Sequence, residues 1–161
     1  MSISKRALSL SAGVVIVAVA AGAFILSSME GESTELRPND GPLISQGAEN
    51  YASSCASCHG ANLEGEQDWR SGNPDGTLKA PPHDETGHTW HHADELLFRI
   101  TKFGTAQALG LEDFKSNMPA FQDNLTDEEI IAVLSWIKAQ WPDKIKDRHD
   151  MMNKRAKDTN R

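Results

Sequence analysis

CASCHG, residues 55–60, contains both cysteines of the 161-residue chain, with His59 directly after the second. Three chemistries use such a pair: a redox dithiol, half of a zinc site, or a covalent attachment point for haem. A zinc site of this kind needs a second Cys/His pair at suitable spacing, and no further cysteine exists. A redox dithiol is expected at a helix N-terminus after a strand, whereas this pair lies late in a helical stretch or just beyond it. A disulfide between residues so close in sequence closes too small a loop to stabilise much. Haem attachment uses all three residues at once: the thiols add to the vinyl groups and the adjacent imidazole reaches the iron.

The flanking sequence is helical with long loops. Ahead of the motif, Gly47, Tyr51 and Cys55 recur at steps of four, which predicts a helix with Ser45 as its N-cap. From Gly60 to about Thr89 the chain is rich in Gly, Pro, Asn and Asp and reads as loop. A second helix fits HADELLFRITKFG, with Asp94 and Glu95 in its first turn and Gly104 at its end. The third is the clearest. Thr126 and Glu129 form a capping box, and Leu125 and Ile130 are placed as a hydrophobic staple. Ile130, Val133, Leu134, Ile137 and Trp141 mark its buried face, and Pro142 ends it. Three short helices and a long loop bury little by themselves, so something else must fill the middle. There is no internal repeat and no nucleotide-type glycine loop.

The N-terminus carries a second signal. Lys5 and Arg6 precede LSLSAGVVIVAVAAGAFIL, nineteen residues without a charge. As a helix this stretch spans close to the ~30 Å hydrocarbon core of a bilayer. Basic residues before it and acidic residues after it predict the N-terminus in the cytoplasm and the body outside. Ala21-Gly22-Ala23 is also compatible with signal cleavage, but the apolar run continues to Leu26, which favours an uncleaved anchor. Residues 1–28 are therefore read as a transmembrane anchor or signal sequence. Residues 29–44 read as a flexible acidic linker, 45–141 as the functional domain, and 142–161 as a basic tail outside the core. Residues 30–141 hold 7 basic and 19 acidic side chains, a charge of −12, while residues 142–161 carry +3. An acidic body repels nucleic acid and favours partners with a basic docking surface.

With CASCH preceded by Gly47 and Tyr51, with NMPAF at residues 117–121, and with LTDEEIIAVLSWIK near the end, the sequence resembles the class I cytochromes c. The resemblance covers about residues 45–141. It implies an all-α fold of three to five helices wrapped around one covalently bound haem c, with Trp136 packing across the first helix at Gly47. By the same resemblance Cys55 and Cys58 hold the haem, His59 is the proximal ligand and Met118 the distal one. A thioether is a soft ligand that suits iron and raises its potential, in agreement with that assignment. The family also supplies a proline carbonyl to the proximal histidine shortly after the motif. Here Pro81 is the candidate, displaced by an insertion that contains Trp69 and Arg70. Arg70 is a candidate partner for a haem propionate.

HDETGHTWHH, residues 83–92, departs from the family pattern with His83, His88, His91 and His92. Either these four bind a second metal, copper or zinc, or one of them binds the haem iron in place of Met118, or they cap the second helix, hydrogen-bond the propionates or face water. The function implied is electron transfer, not enzymatic catalysis, between periplasmic or membrane redox partners. The haem domain is expected on the periplasmic side of the cytoplasmic membrane, single-pass. The alternatives are a haem sensor or catalyst with an open or histidine-bound iron, and a copper-handling protein built on the histidine-rich loop.

Overall fold

A computed structural model describes residues 33–159. The membrane segment expected at residues 1–28 lies outside them. Among the described residues no helix is long and apolar enough to cross a membrane.

Six α-helices and one 3-10 turn make up the regular structure of the described residues. Helix α1 spans Gly41–Ser54, α2 Ala56–His59, α3 Asp94–Phe103, α4 Thr105–Leu109, α5 Asp127–Gln140 and α6 Asp143–Thr159, with the 3-10 turn at Thr89–His91. No strands form there. A single bridge pairs Leu78 with Ser116.

The centre is α1 crossed by α5. Helix α5 starts where its capping box predicts, with Thr126 Oγ1 accepting from Glu129 N and Glu129 Oε2 accepting from Thr126 N. It is buried on most of its surface, from Ile130 through Ser135 and again at Ile137 and Lys138. A residue core of this kind draws its stability from apolar burial on every side. Leu43, Gly47 and Tyr51 form the buried stripe of α1. At Gly47 a Cβ would collide with the Ala132 carbonyl and come within 2.8 Å of Trp136 Cβ, so the two helices touch through a glycine. Trp136 then packs on Tyr51, ring centroids 4.7 Å apart.

Two boundaries differ from the sequence-based expectation. Helix α1 begins before Ser45, because Asp40 caps it: its Oδ1 accepts from Leu43 N at 3.2 Å, and Pro42 occupies the first turn. The described part of the expected linker is not a tether. Leu36 is buried, its N–H donates to Asp94 Oδ2 at 3.0 Å, and Arg37 N donates to Ser135 Oγ at 2.9 Å. Backbone groups that find partners in the body convert an acidic stretch into a docked one.

The basic tail is helix α6, and one face of it belongs to the core. His149 is fully buried, donates from Nε2 to the His92 carbonyl at 2.9 Å, and sits edge-on to Trp141. Asn153 receives Asp94 N at 2.8 Å and donates to Asp94 Oδ1 at 2.9 Å, while Lys138 pairs with Asp150 at 2.6 Å. The expectation that the tail lies outside the core is thereby corrected. Polar side chains dock this helix together with Ile145, too little apolar contact for a hydrophobic pattern to reveal it.

Candidate functional site

Cys55 is the hinge between α1 and α2, with φ −119° and ψ −37°. Its carbonyl accepts from Cys58 N and from His59 N, at 3.2 and 3.0 Å, so the chain winds through one turn and brings both thiols and the imidazole to one end of α1. Both cysteines are free, Cys58 exposed and Cys55 half-buried. Burial, reinforced by the neighbouring Cys58, pushes the Cys55 thiol up to about 11. A thiol held up in this way is the opposite of an activated redox cysteine. Among the described residues no group of three or more His, Cys, Asp or Glu side chains is placed to hold a metal ion.

His59 is buried and its Nδ1 lies 2.9 Å from the Pro81 carbonyl. The intervening loop is folded back to make that contact. Gly65 N donates to the His59 carbonyl at 2.8 Å, and Glu66 N donates to Ala80 O at 2.9 Å. A Cβ on Gly65 would run into Pro82 N at 2.5 Å, so the close approach of the two loop arms depends on that glycine. At the other end Gly60, at φ +81°, turns the chain out of α2, and Tyr51 Oη donates to its carbonyl at 2.8 Å. Burial lowers the pKa of His59 against the opposing effects of the Pro81 bond and Glu66. The ring is therefore neutral at pH 7 with Nδ1–H donating to Pro81, which leaves the Nε2 lone pair for a metal.

Met118 is partly buried, and its N–H donates to Ser116 Oγ at 3.1 Å. Ser116 is bridged to Leu78, and Asn117 Nδ2 donates to Thr77 Oγ1 at 3.1 Å. Residues 77–81 thus hold the Met118 segment at one end and His59, through Pro81, at the other. Leu78, Leu109 and Leu111 are exposed at 54%, 45% and 43%, large apolar side chains that the protein itself leaves uncovered. Two thiols, a neutral imidazole with a free Nε2 and a thioether are a donor set that fits a covalently bound haem.

Arg70 is exposed, its guanidinium 4.3 Å from the Trp69 ring centroid. Trp69 in turn stacks on His88 at 5.3 Å. The four loop histidines separate. His88 and His92 meet edge to face at 5.3 Å, and His91 stacks on Trp90 at 3.7 Å. His83 goes elsewhere: its ring stacks on His59, centroids 4.0 Å apart and planes 24° from parallel. Sequence reasoning grouped His83 with the other three and missed this contact. The only signal available was that His83 lies two residues after Pro81, the candidate partner of His59.

Residues 42–137 match the protein family described as "Cytochrome C oxidase, cbb3-type, subunit III". Among solved structures the chain is similar to cytochrome CL from the marine methylotrophic bacterium Methylophaga aminisulfidivorans MPT. The two share 22% identity over 74% of this chain and 76% of that one, with a TM-score of 0.44. No curated protein matches it.

Proposed function

The chain belongs to the family described as cytochrome C oxidase, cbb3-type, subunit III, and on that premise we propose that it is a monohaem electron carrier with His59 and Met118 as axial ligands. The observation that carries this reading is the buried His59 ring directly after Cys58, with its Nδ1 taken by Pro81 and its Nε2 free. Bound there, haem supplies a one-electron iron couple with an edge for entry and exit of the electron. The chain's own residues do the rest. Cys55 and Cys58 anchor the group by thioether bonds. Pro81 holds the His59 tautomer and raises its basicity as a ligand. Met118 would hold the iron as a soft second donor, which favours the reduced state.

With the iron held by two protein donors no position would be left for a substrate, which supports a carrier over an enzyme. Its acidic body favours redox partners with a basic surface. The apolar run at residues 8–26 supports attachment to the cytoplasmic membrane with the haem domain outside, in the periplasm. An anchored carrier meets membrane complexes at a higher effective concentration than a free one.

The test is the absorption spectrum of the ferric protein in the red region, where methionine-bound haem shows a weak sulfur-to-iron band. The band is expected in the wild type and lost in Met118→Ala. A wild type without the band removes Met118 from the iron, and with it the closed-site argument for electron transfer.

A further inference from the structure

The Pro81 carbonyl bond to Nδ1 fixes the His59 tautomer and limits rotation of the ring about its Cβ–Cγ bond. A contact on the face of the ring limits that rotation further, and His83 supplies one at 4.0 Å. Offset parallel contact between flat rings is itself mildly favourable, so the arrangement resists rotation in both senses.

His83 is held more firmly than a surface loop residue. Its N–H donates to the Leu63 carbonyl at 2.8 Å, and its own carbonyl accepts from Trp141 Nε1 at 2.7 Å. Its Nδ1 lies 2.8 Å from Thr89 Oγ1, and Thr89 is buried. Trp141 is buried as well, at the end of α5, so the position of His83 is referred to the core of the protein. Both backbone contacts survive any substitution of the His83 side chain.

We propose that His83 is a positioning residue for the proximal ligand: its ring sets the rotation of the His59 plane and keeps water off that face. The proposal rests on the reading of His59 as an axial ligand of a covalently bound haem. The rotation of a ligand ring and the dryness of its surroundings are two levers by which a protein tunes a bound metal. His83 acts on both without touching the iron.

The experiment uses the full-length haem-loaded protein and three variants, His83→Phe, His83→Leu and His83→Ala. Proton NMR of the ferric state reads the contact-shifted haem methyl pattern, which follows the orientation of the axial ring, and voltammetry reads the potential. Phe restores a flat face and is expected to keep the wild-type methyl pattern. Leu fills the space without a flat face and is expected to shift it. Ala opens the site to water, which favours the more highly charged ferric state, so its potential is expected to fall. If Ala fails to fold, the contrast between Phe and Leu still decides. Methyl shifts unchanged in Leu, or moved equally by Phe and Leu, overturn the proposal while leaving the haem reading intact. A wild type whose haem is removed by acid extraction is not covalently loaded, and that result overturns both.

Discussion

At Gly47 the first atom of any side chain is already too much, because a Cβ meets the Ala132 carbonyl of the crossing helix. Backbone cannot yield as a flexible side-chain tip can. Gly47→Ala must push α1 away from α5 or bend one of them, and overpacking of this kind costs about 1–3 kcal/mol. Thermal melting followed by far-ultraviolet circular dichroism is expected to show a loss of several degrees. An unchanged midpoint would mean that the two helices do not meet here. The position was legible in the sequence, since a glycine four residues before Tyr51 and eight before Cys55 sits on the same helical face. CASCH was equally legible as a motif, because it is local to five residues. The contact between His59 and His83 was not. It depends on how a loop of more than twenty residues folds back through Gly65, and no periodicity in the sequence encodes that path.

Among the helices, α5 was readable at both ends because each boundary has its own chemistry, a reciprocal cap at Thr126 and a proline after Trp141. Helix α1 was placed too late. Asp40-Gly41-Pro42 reads as a turn by composition, yet an aspartate ahead of a proline in the first turn is also a helix start. Helix α6 was missed as part of the core because one buried histidine, a set of polar contacts and the apolar contact at Ile145 dock it. That mode of docking makes its attachment sensitive to pH. Burial is the main cause of the lowered pKa of His149, and Lys138 adds to it, against Asp94, the His92 carbonyl and Asp150. The folded pKa lies below the unfolded value of about 6.5. The unfolded chain therefore takes up a proton first as pH falls. Stability from this group is fully present above about pH 6.5 and is lost progressively below it. His149→Gln, which keeps a donor for the His92 carbonyl, is expected to flatten part of the decline in denaturant stability between pH 7.5 and 5.5. The difference between the two proteins isolates this residue from His59, His83, His88 and His92, whose pKa values are lowered too. Identical pH profiles would show that His149 does not bear the charge change.

For the whole molecule the decisive quantity is the sign of the field around the body. Several charges are neutralised internally: Lys102 with Asp127, Lys138 with Asp150, and Lys157 with Glu35. The long insertion is not balanced in this way, since residues 61–95 carry 8 acidic and 2 basic side chains. This stretch contains Pro81 and leads through Leu78 to the Met118 segment, so negative charge is concentrated in the part of the chain that builds the site. Pairs of oppositely charged reactants lose attraction as salt rises, because the screening length shortens from about 30 Å at 0.01 M to about 10 Å at 0.1 M. Oxidation of the ferrous protein by a cationic cobalt complex is therefore expected to slow as salt is added across that range. With anionic ferricyanide the same additions are expected to speed it, because screening now relieves repulsion. Stopped-flow kinetics with both oxidants reads the sign of the field at the reacting edge. Acidic charge there predicts opposite slopes. Two flat responses would place the acidic side chains too far from that edge to steer a partner, and recognition would then fall to the exposed leucines instead.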